Sequence, residues 1–342
     1  GAALAQVPGV PLEPLNGLDA LLLAYVAQVA AWCAAPDWAE LEVHLSGLGL
    51  LVAYAGLAAG VVFCWRLPPH ALVLGMLALA VVVPLPGGGG AEAGPPPGLR
   101  VEVLDVGQGD AILFRPAGAP AVLVDGGPPG DGLERKLEEA GVEQLGAVVA
   151  THDQSDHVGG IEELLGRMPV GRLVYARLGR DLVSRAAAAG AKPVGVAAGR
   201  ELRSGRLRLR VLWPPPELLT APVDDPNQLA LVIEARWRDF TMLLTADAEA
   251  ESVPIEAGPV DVLKVAHHGS EDAGLGPLLD RIRPRLAVIS AGSDNPYGHP
   301  APQTLATLER HGVQTLRTDE EGVIKIDVNR HEFGLDGYPN RK

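Results

Sequence analysis

The sequence predicts an α/β protein, an αββα sandwich preceded by transmembrane α-helices. Charged side chains are scarce in residues 1–99, where six acidic residues and one arginine interrupt long apolar runs. Residues 100–342 instead alternate short strand-like and helix-like stretches, which favours sheets covered by helices. The richest polar clusters come directly after predicted strands, where a rigid sheet can hold functional side chains together.

Three apolar runs predict the transmembrane helices. They are residues 18–35, 45–65 and 70–86. Each approaches the roughly 17–25 residues that a span needs. The alternative is a set of buried helices in a soluble protein, but such helices normally carry a polar stripe, which these runs lack. Because the chain starts with glycine, we expect a processed chain or a fragment that further spans precede.

The orientation rests on Arg66, the basic residue between the second and third runs. The excess of basic residues in cytoplasmic loops puts Arg66 in the cytoplasm, and residues from 87 onward then lie on the extracytoplasmic side. We therefore expect a multi-pass plasma-membrane protein.

Composition divides the chain into four parts. They are membrane-spanning helices over 1–86, a Gly/Pro linker over 87–98, the sandwich domain over 99–330 and a C-terminal tail over 331–342.

Period and turn residues predict the elements of the sandwich. In chain order they are strands "LRVEVLDVG", "DAILFRP" and "AVLVDGG", helix "GLERKLEEAG", strand "LGAVVAT", helix "GGIEELLGRM", strand "GRLVYA", helix "DLVSRAAAAG", strands "RLRLRVLWP", "LALVIEARW", "FTMLLTAD", "VDVLKVAHH" and "RPRLAVISAG", helix "PAPQTLATLERHG" and strand "GVIKIDV".

Histidines and acids after the strands point to a metal site. His152, Asp156 and His157 lie in "THDQSDHVGG", which follows one predicted strand, while Asp247 and His267 end two others. Imidazole and carboxylate ligands suit zinc or manganese, and a carboxylate can bridge two ions. The alternative is a polar loop that only happens to contain histidines.

Six segments carry a family resemblance. They are "LDVGQGDA" (104–111), "LVDGG" (123–127), "THDQSDHVGG" (151–160), "LLTAD" (243–247), "LKVAHHGS" (263–270) and "NPYGHP" (295–300). In this order they resemble the metallo-β-lactamase-fold hydrolases, and within them the C-terminal domain of the ComEC family of DNA-uptake membrane proteins. The resemblance implies a metallo-β-lactamase-like sandwich for residues 99–330, and the spans upstream resemble the end of that family's channel domain.

The resemblance also implies roles for single residues. The implied ligands of one or two divalent ions, zinc or manganese, are His152, Gln154, Asp156, His157, Asp247 and His267. Asp247 would bridge the ions, and His268 would orient His267 or, alternatively, be the ligand itself. Asp156 and His299 would act in catalysis, although His299 beside Pro300 is alternatively a turn residue. The implied supporting or substrate-contacting residues are Asp110, Asp125, Asn227, His268, Ser270 and Asn295.

Gln154 departs from the family pattern, which has aspartate or, in the wider fold, histidine there. Asn227 likewise stands where hydrolases of the fold commonly have a metal-binding histidine. Because neutral amides are weaker ligands, we expect the first metal site to be weak or empty and the second to be intact.

Nucleic-acid contacts are expected on one stripe of arginines. Arg206, Arg208 and Arg210 alternate with leucines, so on a strand they share a face and can follow a phosphate backbone. The alternative is a solvated strand face, which the net charge of −14 and the scarcity of aromatic residues favour.

The family resemblance implies a function in DNA uptake, in which the domain hydrolyses phosphodiester bonds of incoming DNA with a metal-activated hydroxide. The expected partners are DNA, as a single strand or a duplex at the membrane, membrane lipid and other competence proteins. Two alternatives remain: a catalytically degenerate domain that binds DNA or supports the channel, and another hydrolase of the same fold.

Overall fold

A computed structural model of the protein describes residues 98–223, 225–329 and 333–335. The predicted transmembrane helices, nearly all of the linker and most of the tail lie outside the described residues. Among the described residues, we find no helix with the length and apolar character of a membrane span.

Two sheets form the centre of the domain. The eight-stranded sheet contains β1 (Leu99–Val103), β2 (Ile112–Pro116), β3 (Ala121–Val124), β4 (Leu145–Ala150), β5 (Arg172–Tyr175), β6 (Lys192–Gly195), β14 (Ile324–Val328) and β15 (Phe333–Leu335). The seven-stranded sheet contains β7 (Glu201–Ser204), β8 (Leu207–Trp213), β9 (Val232–Trp237), β10 (Phe240–Leu244), β11 (Val262–Lys264), β12 (Leu286–Ile289) and β13 (Gln314–Arg317).

The strands follow a similar plan in both sheets. The spatial orders are β15-β14-β1-β2-β3-β4-β5-β6 and β13-β12-β11-β10-β9-β8-β7. Strands β3 to β6 are parallel in the first sheet, as are β10 to β13 in the second, and the remaining neighbours are antiparallel.

Helices cover the outer faces of both sheets. They are α1 (Leu133–Glu139), α2 (Ser155–Leu164), α3 (Arg180–Ala188), α4 (Leu275–Ile282), α5 (Pro302–Arg310) and the short α6 (Thr318–Glu321). One apolar core lies between the sheets, a second beneath α1 to α3 and a third beneath α4 and α5. The predicted αββα sandwich is therefore confirmed for the described residues.

Strand β4 shows how the sequence builds these layers. Its residues Ala147 and Val149 belong to the core between the sheets, whereas Val148 and Ala150 belong to the core beneath the helices. A strand buried on both faces needs a continuous apolar run, which "LGAVVA" supplies.

Helix α2 begins at Ser155, four residues before the predicted start at Gly159. Gly159 and Gly160 lie in the middle of the helix rather than at its predicted start, and the helix packs against backbone at these positions. A Cβ atom on Gly160 would lie 2.0 Å from the carbonyl oxygen of Gly126, so only glycine fits. The earlier start places Asp156 and His157 in the first turn of the helix.

Candidate metal centre

The centre assembles where β4, β10 and β11 end. His152 follows β4 and is buried, with its Nδ1 3.0 Å from the Thr151 hydroxyl oxygen. Its Nε2 lies 3.7 Å from Oδ2 of Asp247, which follows β10. Burial, together with the charge of His157, lowers the pKa of His152, so this imidazole favours the neutral form that a metal requires.

His157 is held by a buried carboxylate. Asp125 accepts hydrogen bonds from the Thr151 backbone N–H at 2.8 Å and the Thr151 hydroxyl at 2.7 Å. Its Oδ2 also lies 2.9 Å from His157 Nδ1, which directs His157 Nε2 toward Asp247 Oδ1 at 3.1 Å. Burial lowers the pKa of His157, but the charges of Asp247 and Asp125 outweigh burial and hold that pKa well above its ordinary value.

Asp247 presents each carboxylate oxygen to a different group of imidazoles. Oδ1 faces Nε2 of His157 and, at 3.8 Å, Nε2 of His268. Oδ2 faces Nε2 of His152 and, at 3.8 Å, Nε2 of His267. Burial would raise the pKa of Asp247, but neighbouring histidines, His157 foremost, bring it well below its ordinary value.

The adjacent histidines His267 and His268 both adopt left-handed backbone conformations, with φ of 48° and 54°. His268 Nδ1 lies 3.0 Å from the Ser290 carbonyl oxygen, and its Nε2 lies 3.3 Å from Asp156 Oδ2. Burial lowers the pKa of His268, but hydrogen bonds with Asp110 and Asp156 raise it to about 9.

His267 is partly exposed and has a different partner. Its Nδ1 lies 2.8 Å from Glu249 Oε1, and Glu249 also accepts a hydrogen bond from the Ser270 hydroxyl. The hydrogen bond with Glu249 raises the pKa of His267. A carboxylate on one imidazole nitrogen commonly fixes the other nitrogen for a metal.

These residues fit a divalent cation. Asp156, His157, Asp247 and His268 each offer a ligand atom, and the four atoms lie within 4.8 Å of one another. His157 Nε2, His152 Nε2 and both oxygens of Asp247 are buried and form no hydrogen bond with the described residues. Buried polar groups are almost always satisfied in proteins, so converging unsatisfied ligand atoms are the signature of an ion site.

His267 and His268 therefore face different oxygens of Asp247. His268, for which the sequence implied an orienting role with ligation as the alternative, lies in the four-residue cluster. His267, the implied last ligand, faces the other oxygen of Asp247 together with His152.

Gln154 interacts with His152 of this second group, and Asn227 interacts with Gln154. Gln154 Nε2 donates a 2.8 Å hydrogen bond to Asn227 Oδ1, which leaves the Gln154 carbonyl oxygen as the available acceptor. Asn227 therefore supports the Gln154 side chain through this hydrogen bond.

Three further predicted site residues have different surroundings. The His299 ring centroid lies 5.8 Å from that of His267, and burial, followed by the charges of His267 and His268, lowers the pKa of His299. Asn295 uses its side chain to hold the loop backbone at Gly292 and His299, and Ser270 is bonded to Glu249. Of the three, His299 is the one that presents its side chain to the centre.

Two residues of the centre, Lys264 and Glu249, were not predicted from the sequence. Lys264 is fully buried in β11 and forms an ion pair with Asp110, which explains how an acid and a base are tolerated there. A lysine in an apolar strand was a signal for such a partner. Glu249, two residues after Asp247, carries no comparable signal.

The predicted DNA-contacting arginines do not join the centre. Arg208 and Arg210 are exposed on β8, and Arg206 lies in the turn before it. The opposite end of β8 is the end near the centre, where Trp213 Nε1 donates to the Gln228 carbonyl oxygen.

A family model described as the metallo-beta-lactamase superfamily matches residues 104–293. ComE operon protein 3 of Bacillus subtilis (strain 168) is 31% identical over 271 residues, which cover 70% of this chain and 34% of that protein. Competence protein ComA of Neisseria gonorrhoeae is 29% identical over 340 residues, which cover 94% of this chain and 44% of that protein.

The chain spans less than half the length of these two relatives. Among solved structures, CmlA, a diiron β-hydroxylase from Streptomyces venezuelae, has a TM-score of 0.51 at 17% identity. The likeness covers 68% of this chain and 55% of CmlA, and it shows the fold alone. The family match covers more than half of the 342 residues. The chain therefore belongs to the metallo-beta-lactamase superfamily, and its resemblance to ComEC-type competence proteins is confirmed.

Proposed function

We propose that the sandwich domain is a metal-dependent phosphodiesterase that cleaves DNA. The observation that carries the proposal is Asp247, a buried carboxylate whose two unsatisfied oxygens face two groups of imidazoles. A divalent cation bound there would activate water and neutralise charge on a phosphate. Zinc and manganese both suit these nitrogen and oxygen donors.

Other residues would orient the ligands or contact the phosphate. Asp125 fixes the tautomer of His157, and Glu249 fixes that of His267. His299, whose lowered pKa favours a neutral ring, would donate a hydrogen bond to a phosphate oxygen. Its buried Nδ1 makes no hydrogen bond with the described residues, so the ring is not committed to a structural partner.

The resemblance to the ComEC family of DNA-uptake membrane proteins supports DNA as substrate and a membrane as the place of action. One of the relatives is named competence protein ComA, and another is named ComE operon protein 3. We propose that residues 1–86 span the plasma membrane, that the domain lies on the extracytoplasmic side, and that DNA, membrane lipid and other competence proteins are its partners.

The test combines metal content with cleavage. The full chain is purified without chelators, its metal is measured by elemental analysis, and cleavage of end-labelled DNA is followed with manganese. We expect about one firmly held ion, at Asp156, His157, Asp247 and His268, and about two in Gln154→Asp, because a carboxylate binds more strongly than an amide. His157→Ala should lose both the ion and the cleavage.

Other outcomes would contradict the proposal. A chain without metal whose His157→Ala variant behaves like wild type would favour the degenerate, non-catalytic alternative. The pair of neutral amides, Gln154 and Asn227, is the observation that supports this alternative. Metal-dependent hydrolysis of thioesters or lactams, with intact DNA, would favour another hydrolase of the same fold.

A further inference from the structure

An open groove lined by arginines lies on the seven-stranded sheet, away from the metal centre. Its volume is about 400 Å³, and its lining residues are Arg203, Gly205, Arg206, Arg208, Arg236 and Arg238. We call it the arginine groove. Among the described residues, no acidic side chain lines it, although the chain as a whole carries a net charge of −14.

The strand register concentrates positive charge in this groove. Arg203 pairs with Arg208 across β7 and β8, and Arg208 pairs with Arg236 across β8 and β9. Like charges directly opposite one another destabilise a sheet. The neighbouring row alternates in sign and consists of Glu201, Arg210 and Glu234. The all-arginine row is therefore not a general feature of this face.

The two hairpin turns that border the groove add more arginine. Arg206 lies in the turn between β7 and β8, and Arg238 lies in the turn between β9 and β10 with φ of 56°. A left-handed conformation favours glycine or asparagine, so an arginine there costs backbone energy. Arg238 is held over the Trp237 ring at 4.8 Å. Arginines therefore lie together here even though Arg208 faces two other arginines and Arg238 has an unfavourable backbone conformation.

Their pairing leaves charge available for a ligand. Arg203 and Arg236 contact Glu201 and Glu234 of the alternating row, at 2.5 and 3.2 Å. Arg206 and Arg208 are exposed and make no ion pair or hydrogen bond with the described residues. Arginine is suited to phosphate because its planar guanidinium can donate two parallel hydrogen bonds.

The residues that line the groove favour one kind of polyanion over a membrane surface or a nucleic-acid duplex. An anionic membrane surface would favour apolar anchors beside the basic residues. The exposed large apolar residues of the described part are Tyr297 and Val323, and neither lines the groove. Among the described residues, no aromatic ring lines the groove as a platform for bases either, so contact with the backbone alone is expected. A single strand, with its lower charge density, suits an acidic domain better than a duplex does.

We propose that the arginine groove binds the sugar–phosphate backbone of a single-stranded nucleic acid, at a site separate from the metal centre. Strand β9 connects the two places: Arg236 lies roughly 17 Å along the strand from Leu231, whose N–H bonds to the Thr151 carbonyl beside His152. The groove would hold a strand whose neighbouring part lies at the centre. The proposal rests on the proposed function only for the identity of the polyanion as DNA.

The test measures binding without cleavage, so that a failure of the proposed hydrolysis would not affect it. Anisotropy of a fluorescein-labelled oligothymidylate is followed against the full chain in excess chelator, at several salt concentrations. We expect Arg206→Gln/Arg208→Gln to weaken binding about tenfold, with a salt dependence shallower by roughly 1.4 in log–log slope, for two lost phosphate contacts. The control is Arg172→Gln/Arg310→Gln, which removes the same charge from exposed positions outside the groove.

Equal losses in the two double variants would overturn the groove and leave a general charge effect. Unchanged DNA binding in the groove variant, with lost binding to phosphatidylglycerol vesicles, would instead assign the groove to lipid. Thermal unfolding of both variants guards against misfolding. The groove variant should unfold at the wild-type temperature or above, because the change removes facing like charges.

Discussion

At the scale of single residues, the centre depends on carboxylates that orient histidines. Asp125 and Glu249 each bind the Nδ1 of an imidazole whose Nε2 faces Asp247. Removal of such a partner typically weakens metal binding without removing a ligand. Glu249 is the more informative of the two to change, because Asp125 also holds the Thr151 backbone.

Glu249→Gln should weaken the metal site on the His267 side about 10- to 100-fold. The hydrogen bond with Glu249 is the largest influence that raises the pKa of His267, so this pKa should fall in the variant. NMR titration of the metal-free protein measures the pKa, and a competition assay with a metal dye measures the affinity. Glu251→Gln, at an exposed position two residues later, is the matched control. An unchanged His267 titration would show that Glu249 does not position this ring.

The sequence could identify the residue types of the centre, but it could not show which of the adjacent residues His267 and His268 faces which carboxylate oxygen. "AHHG" does not say which histidine faces which oxygen, because that depends on two consecutive left-handed residues. The backbone conformation of His267 and His268 is set by the loop between β11 and α4, which only the packed structure defines. Glu249 was missed for the same reason, since its role arises from a contact 18 residues along the chain.

At the scale of elements, β11 carries a buried ion pair toward the centre. Lys264 and Asp110 are both fully buried, and Asp110 also lies 3.4 Å from His268 Nδ1. Burial would raise the pKa of Asp110, but the charge of Lys264 and the hydrogen bond with His268 bring it below its ordinary value. The pair therefore couples the stability of the strand to the position of a candidate ligand.

Lys264→Met should lower the free energy of unfolding by about 3–5 kcal/mol, because it leaves the Asp110 carboxylate buried without its ion-pair partner. The loss should shrink as the pH falls, since protonation of Asp110 removes the buried charge. Urea unfolding at neutral and mildly acidic pH measures both effects. Lys264→Met/Asp110→Asn should be less destabilised than the single variant, and a larger loss in the double variant would contradict this account.

Several elements with strong periodicity were predictable, whereas a short edge strand and a helix that contains proline were not. The strand "LGAVVAT" and the helix "GLERKLEEAG" agree closely with β4 and α1. Strand β6 was missed because "KPVG" is short, partly exposed and contains proline, which is typical of an edge. Helix α4 was missed because Pro277 interrupts its pattern, although proline is tolerated in the first turn.

At the scale of the whole molecule, the sandwich brings together residues that are far apart in the chain. Asp156 and His268 are 112 positions apart, yet their side chains lie 3.3 Å apart. The order of the six segments predicted this assembly through the family resemblance, whereas spacing alone did not. The predicted division of the chain at residues 86 and 98 stays a prediction.

The proposed topology gives a prediction for the intact chain. Its two cysteines, Cys33 and Cys64, both lie in the predicted spans, so a cysteine-free background is simple to make. In that background, Ser184→Cys on the exposed face of α3 should react with a membrane-impermeant maleimide in intact cells. Labelling only after the cells are lysed would put the domain on the cytoplasmic side.

The pairing of β1 with β14 has a consequence for synthesis of the protein. The two strands lie side by side, and Arg100 binds Asp327 through two hydrogen bonds of 2.7 and 2.9 Å across 227 positions of sequence. Strand β1 can pair with β2 early, but its other neighbour, β14, is synthesised only after nearly the whole domain has left the ribosome. A nascent chain that stalls before residue 324 would expose the edge of β1, and unpaired edges of this kind promote aggregation.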